Sequence, residues 1–443
     1  MCYYENIGEH RQIRNRSVSR FTDKKWGYNC NDKSRFRLRR MLITVNDART
    51  LILSGQCLLC KDKNQVVQVV SDLSGIQYDP CPILHLNHYL ALWSRVPDFK
   101  VTDYDRIAYE ERELVEASLF KRNLFIAPTC ELELYNAATE RIVRWGSSRE
   151  QQGSERQSDD LLAEEEKLRQ AFHEMRSCTK YRLWEYLGLT KEWNAYRENR
   201  KQGLAKEYLP IFRVFYNMRQ TNELIVCNRL PGTFREPVYA LREDLRKDKS
   251  AVTGINSIDA VEAVLYKLIC SFGVTDTTHM KAITGLDTEA ISMAMASLRV
   301  KEMIISINVE GLRKAYVVAK KLLAVLQQHG TKSIDEVSML SPMEGIIRDK
   351  RWLNTFFSYS FNFEYFKKKG MKWPLSILSK NEFAGFADCR FDRKKKRFIV
   401  KEIDIQKEKA VDRDGLYRCL CSLARLHEAD ELVITGEKYH GYP

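Results

Sequence analysis

The chain has 443 residues, more than one ordinary core holds, so two to four domains are expected. Its 72 Lys and Arg stand against 59 Asp and Glu, an excess that favours an anionic partner, with nucleic acid the commonest. No run approaches the roughly 18 apolar residues of a membrane span and no signal peptide opens the chain, so a cytoplasmic protein is expected, nucleoid-associated if prokaryotic.

Residues 1–40 hold 11 basic and 4 acidic residues, a net +7, with no clear apolar period. They read as a basic, disordered extension. The 12 cysteines are scattered, and Cys227, Cys270, Cys419 and Cys421 sit in apolar surroundings. The one CxxC, Cys57 and Cys60, has no second Cys or His pair at finger spacing. Core cysteines in an apolar helix are expected there, with no metal and no cofactor, in a reducing compartment.

Residues 41–145 read as a first, mostly helical unit. Thr44 caps a helix with a stripe of Ala48, Leu51, Ile52 and Leu59. A second helix carries Val66, Val67, Val69, Val70 and Leu73, and a third runs over Asn87–Val96. Asp103 is expected to cap a charged helix reaching about Ser118, and Leu124–Ala127 is a strand stopped by Pro128. The polar, Gly/Ser-rich residues 146–160 read as a connection.

A second unit, 161–247, has a helix with Leu168, Ala171, Phe172 and Met175. Thr179 caps a short helix with Leu183 and Leu187. A longer helix ending near Thr221 turns Leu209, Phe212, Phe215 and Tyr216 inward. Strands Glu223–Asn228 and Pro237–Leu241 follow. Three helices and a hairpin are the winged-helix order. A third unit, 256–330, repeats it: Ile258–Ser271, then His279–Thr284 capped by Thr275 and ended by Gly285, then a helix capped by Asp287. Strands Ile304–Val309 and Arg313–Val318 close it. Residues 338–443 differ, with strands Pro374–Leu378, Gly385–Phe391 and Arg397–Ile403, a helix Asp412–His427 and a strand Glu431–Ile434. The expected class is α+β, mainly helical: tandem winged-helix units with a strand-rich C-terminal domain, either α+β or part-barrel.

Between the second and third helices lies Ser74-Gly75-Ile76-Gln77-Tyr78-Asp79-Pro80. In an extended backbone Gln77 and Asp79 share one side while Tyr78 points away. An amide and a carboxylate then face one small space, where they can hold a water or a developing cation. A solvated turn with a capping aspartate is the plainer reading of three residues.

The ordered set across Leu42–Ile403 resembles the AlkZ/YcaQ-type tandem winged-helix DNA glycosylases. Ile76-Gln77-Tyr78-Asp79 is similar to the glutamine–apolar–aspartate motif of the YcaQ branch. Tyr89-Leu90-Ala91-Leu92-Trp93-Ser94-Arg95, Leu340-Ser341-Pro342 with Arg348-Asp349-Lys350, Trp373–Leu378, Gly385-Phe386-Ala387-Asp388 and Asp392-Arg393-Lys394 resemble later family segments. The resemblance implies a glycosylase acting as a monomer on alkylated bases in double-stranded DNA, with Asp79 and Gln77 catalytic. N7-alkylpurines and interstrand crosslinks are the implied substrates, and base excision repair without a lyase step is the implied setting. Arg95, His88, Arg393 and Lys395 are assigned to DNA contact. The five basic residues Arg393–Arg397 fit a phosphate-touching hairpin tip or a solvated turn equally. The sequence departs from the family after Glu116: Ala117-Ser118-Leu119-Phe120-Lys121-Arg122-Asn123 lacks the aromatics and histidine expected there. His85 and His88 are candidates to replace that histidine. The competing readings are a non-catalytic winged-helix DNA-binding protein, regulator or clamp, and a structural partner in a repair complex.

Overall fold

The structure, a computed structural model, describes residues 41–59, 61, 65–79, 84–147, 156–201, 209–231, 235–245, 255–329, 336–360 and 373–439. The basic extension 1–40, Cys60, Pro80 and residues 148–155 of the polar connection lie outside the described residues.

The first unit comprises β1 (Met41–Ile43), α1 (Val45–Gly55), α2 (Val66–Asp72), β2 (Ile76–Gln77), α3 (Asn87–Trp93) and α4 (Val101–Asp105). A π turn continues α4 to Glu110, followed by β3 (Leu114–Ser118), β4 (Leu124–Pro128) and α5 (Leu132–Ser147). Thr44 opens α1 with a capping box: its hydroxyl accepts from Asp47 N at 3.0 Å and the Asp47 carboxylate accepts from Thr44 N at 3.0 Å. Cys57 lies beyond α1, after the cap residue Gln56, and not within a helix as expected; its φ of 57° breaks the helical run.

The second unit comprises α6 (Arg156–Met175), β5 (Cys178–Thr179), α7 (Lys180–Tyr186), α8 (Thr190–Lys201), α9 (Pro210–Gln220), β6 (Leu224–Arg229), β7 (Pro237–Leu241) and α10 (Arg242–Leu245). Thr179 caps α7, and Phe212 and Phe215 point inward. Leu209 is instead the exposed N-cap of α9, and Tyr216 is half-buried. The third unit comprises α11 (Ser257–Phe272), β8 (Val274–Thr275), α12 (Thr277–Thr284), α13 (Thr288–Val300), β9 (Ile304–Val309), β10 (Ala315–Ala319) and α14 (Lys320–His329). Gly285 ends α12 in the left-handed region and Asp287 caps α13. The cap of α12 is Asp276 rather than Thr275. Asp276 directly precedes the helix and its carboxylate accepts from His279 N at 2.9 Å, while the Thr275 hydroxyl, one residue farther back, meets His279 Nδ1 at 2.8 Å.

One pairing recurs in all three units. The short strand after the first long helices runs antiparallel to the second strand of the hairpin: Gln77 opposite Phe125, Thr179 opposite Val238, Thr275 opposite Val317. Helix, short strand, helices and hairpin make each unit winged-helix-like, and the same pairing identifies β3–β4 as the first unit's wing.

Strands also cross between units. Glu116 of β3 pairs with Val226 of β6, so the first two units share a six-stranded sheet in the order β2-β4-β3-β6-β7-β5. β1 runs parallel to β9 of the third unit. The helix expected to run from Asp103 to Ser118 is therefore corrected. Leu114–Ser118 is a strand with neighbours on both sides, and all five residues are buried, so neither face shows the alternation that marks a half-exposed strand.

The C-terminal part holds β11 (Ser338–Leu340), α15 (Gly345–Arg348), α16 (Lys350–Phe357), β12 (Pro374–Ser379), β13 (Glu382–Asp392), β14 (Arg397–Ile405), α17 (Arg413–Leu426), β15 (Glu431–Ile434) and β16 (Glu437–Tyr439). Its sheet order is β11-β12-β13-β14-β15, with β16 also on β14, and no barrel closes among the described residues. Of the two forms expected, the domain takes the α+β one.

α1 crosses the end of α11 at two glycines, Gly55 and Gly273. A Cβ on Gly273, whose φ is 68°, would lie 2.4 Å from the Leu51 carbonyl oxygen. Gly188 has a similar φ of 70° but nothing within 4 Å of the added carbon. Gly188→Ala should therefore cost only the left-handed backbone penalty of about 1–2 kcal/mol, and Gly273→Ala clearly more. Urea unfolding of the two variants measures the difference, which reports the steric cost of a Cβ at the α1–α11 approach.

Candidate active site

Ser74 (φ 57°) and Gly75 (φ 94°) turn the chain out of α2 and into β2. The backbone angle of Gly75 favours glycine, and a Cβ there would fit tightly, 3.2 Å from the Ile126 carbonyl oxygen. β2 then pairs with β4, and Tyr78 N extends the ladder by donating to Leu124 O at 2.8 Å. Tyr78 is 5% exposed, while Gln77 and Asp79 are half-buried, so the alternation expected for an extended backbone is realised. Asn87 Nδ2 donates to the Gln77 carbonyl oxygen at 2.8 Å and ties the motif to the start of α3.

A layer of rings and charges lies beneath. The Tyr78 ring stacks on His88 with centroids 5.1 Å apart, and the Arg229 guanidinium lies over it at 4.2 Å. Arg229 in turn forks onto Glu116, with Nε and an η nitrogen each 2.6 Å from a carboxylate oxygen. Tyr109 donates to Glu116 at 2.9 Å. Arg235 forks onto Asp105 at 2.8 and 2.9 Å and also meets the Tyr89 hydroxyl. Burial pushes the Tyr78 phenol up, with Arg229 opposing.

The assigned residues separate. Gln77 and Asp79 come together, joined by a residue the sequence did not single out for chemistry. Arg348, at the end of α15, donates to Gln77 Oε1. Burial lowers its pKa from the ordinary value, and the Asp79 carboxylate opposes that, so the two charges act on each other. The sequence offered Arg348-Asp349-Lys350 only as a family-like segment, and nothing in it pointed to the contact with Gln77, 271 positions away.

Arg95 and His88 are corrected. Arg95 is 1% exposed and donates to Gln56 O, Ala91 O and Ser94 Oγ, and to Glu344 at 2.6 Å. It holds α3 to the chain before α15 and is not presented to DNA. His88 is 0% exposed, packed among Tyr78, Tyr89 and Tyr104, and burial drives its pKa well below the ordinary value. A sealed imidazole cannot take over for a histidine missing after Ser118. Glu116, the glutamate retained there, is committed to Arg229, and Ala117, Leu119 and Phe120 are core.

His85 is half-buried and faces a cavity of about 970 Å³ that α17 closes from the far side. Its pKa is pushed down to about 3 by burial, then by His427, whose own falls to about 4 by burial. The cavity's cations are largely engaged: Lys61 donates to Ser338 Oγ at 2.7 Å, and Arg393 to Leu84 O at 3.1 Å. Arg393 and Lys395 sit at the exposed tip of the β13–β14 hairpin. Lys394 N and Lys395 N donate to Asp392 there, so the turn is built and the Lys395 side chain is left on the surface.

Removing Arg95 should leave Glu344 charged and buried. Arg95→Met is expected to destabilise by about 3–5 kcal/mol, read as a fall in the urea midpoint, and Arg95→Met combined with Glu344→Leu should recover most of it. A DNA-contact role would instead lower affinity with little change in stability.

The profile of the family described as DNA glycosylase AlkZ-like matches residues 70–426. Among solved structures, the chain is similar to Streptomyces sahachiroi DNA glycosylase AlkZ at a TM-score of 0.61 and 11% identity, over 89% of this chain and 100% of that one. No curated protein matches.

Proposed function

The chain belongs to the AlkZ-like DNA glycosylase family, and from that premise we propose that it hydrolyses the N-glycosidic bond of alkylated purines in duplex DNA, leaving an abasic site. The observation that carries this reading is the pairing of Gln77 and Asp79 on the outer side of one strand–loop segment, with Tyr78 buried behind them. The aspartate at position 79, where the family's other branch carries a second glutamine, supports a reading closer to the YcaQ branch.

A purine alkylated at N7 is already cationic and leaves without being protonated. The protein has then to supply an ordered water and a negative charge beside an oxocarbenium-like sugar. Asp79 supplies the charge and takes the proton as water attacks the anomeric carbon. Gln77 orients that water. In this reading water rather than an amine is the nucleophile, so no lyase step follows. Bulkier N7 adducts and interstrand crosslinks fall within the same chemistry, because the leaving group carries its charge whatever the substituent.

The experiment is release of free base from duplex containing N7-methylguanine. Asp79→Asn should slow release by at least about 10²–10⁴-fold, the usual worth of a general base, while duplex affinity stays near wild type. Wild-type release by the variant would remove Asp79 from the reaction, and no release by the native protein would favour a non-catalytic DNA-binding role. The hairpin tip has its own test. Lys395→Gln should reduce the slope of log affinity against log salt by about 1 if Lys395 meets a phosphate; an unchanged slope assigns the turn to solvent.

A further inference from the structure

Arg348 is brought to Gln77 across 271 positions of sequence, and its approach is built rather than incidental. Glu344, four residues earlier, is buried and accepts from Arg95 at 2.6 Å and from Ser341 N at 3.0 Å. Ile346 and Ile347 are buried against the core. Asp349, the next residue, caps α16 by accepting from Trp352 N at 3.0 Å. Every backbone neighbour of Arg348 is therefore fixed, while its own side chain reaches out to the motif.

The chemistry of the contact determines which way the amide of Gln77 lies. A guanidinium carries donors only, so it can meet an amide solely at the oxygen. With Oε1 held by Arg348, the two N–H bonds of Gln77 are turned toward the rest of the site. An amide free to flip would present oxygen half the time, and an oxygen beside Asp79 offers a water two acceptors and no donor. With the amide fixed, a water can donate to Asp79 and accept from Gln77 at once, which leaves its remaining lone pair to attack.

We propose that Arg348 is a positioning residue of the base-release reaction, holding the Gln77 amide so that its N–H groups, and not its oxygen, face the attacking water. This rests on the reading of Gln77 and Asp79 as catalytic. In this role Arg348 contacts the Gln77 amide and not the reacting atoms. It acts through Gln77, so its contribution exists only while Gln77 is present.

The test is single-turnover release of N7-methylguanine from duplex, with enzyme in excess and its concentration varied, for the wild type, Gln77→Ala, Arg348→Met and the double variant. Arg348→Met is expected to lower the maximal rate about 10- to 100-fold, the scale of a displaced reacting group, with half-saturating concentration within about threefold of wild type. In the Gln77→Ala background the same change should cost less than about threefold, since residues acting as one unit do not add. Multiplying losses in the double variant would overturn the proposal, as would a wild-type maximal rate in Arg348→Met. A raised half-saturating concentration at unchanged maximal rate would make Arg348 a DNA contact and overturn it too. Should Arg348→Met lose its cooperative thermal transition, Arg348→Lys is measured in its place, with a smaller loss, since an ammonium lacks the planar fork, that again disappears without Gln77. If Gln77→Ala alone releases base at the wild-type rate while Asp79→Asn does not, Arg348 has nothing to position and the proposal falls, although Asp79 stands. If both retain the wild-type rate, the catalytic reading itself has failed.

Discussion

The burial of one tyrosine governs the geometry of the site. Tyr78 lies between Gln77 and Asp79, and in an extended chain its side chain and theirs must take opposite sides. Whatever holds Tyr78 inward therefore holds the amide and the carboxylate outward. Three things hold it: the backbone bond to Leu124, the His88 ring beneath, and the Arg229 guanidinium above. Arg229 can lie against a ring in the interior only because Glu116 accepts both ends of its fork. Glu116 belongs to the first unit and Arg229 to the second, so the register of β3 on β6 fixes the orientation of the motif. The two units are one device at this point.

That dependence also marks what a single sequence can and cannot reveal. Local signals carried the caps at Thr44, Thr179 and Asp287, the stop at Gly285 and the alternation at residues 77–79, because each rests on side chains within three or four positions of one another. Signals whose meaning depends on distant partners did not survive. Leu114–Ser118 resembled a charged helix because Glu111, Glu113 and Glu116 crowd it, and nothing nearby announces that Arg229 neutralises Glu116. Arg95 was open to assignment as a DNA contact because its partner Glu344 is 249 positions away. Arg348 was visible as part of a family-like run, but its contact with Gln77 exists only in the folded chain. The hairpin tip at Arg393–Lys396 was readable as exposed from its composition, and its built turn on Asp392 agrees with that.

The repeat explains why chemistry is lodged in the first unit and not in the other two. By register, Gln77, Thr179 and Thr275 occupy equivalent places, each opposite the second strand of its own hairpin. In the second unit α7 begins at the very next residue, and the Thr179 hydroxyl is consumed in capping it. In the third, α12 begins two residues on. Asp276 caps it and Thr275 is taken up by His279. A polar side chain at this place is ordinarily spent on the helix it precedes. In the first unit the following helix, α3, does not start until Asn87, and its N-cap, Leu86, offers no side-chain bond. The longer connection puts Gln77 ten residues ahead of α3, out of its capping position, while β2 still pins its backbone. Without other engagement a half-buried amide would be free to rotate, and it is here that Arg348 enters, from a part of the chain with no counterpart in the repeat. A strand position that serves helix initiation twice is thereby freed, then re-immobilised from outside, and the second step gives an unattached amide a fixed direction.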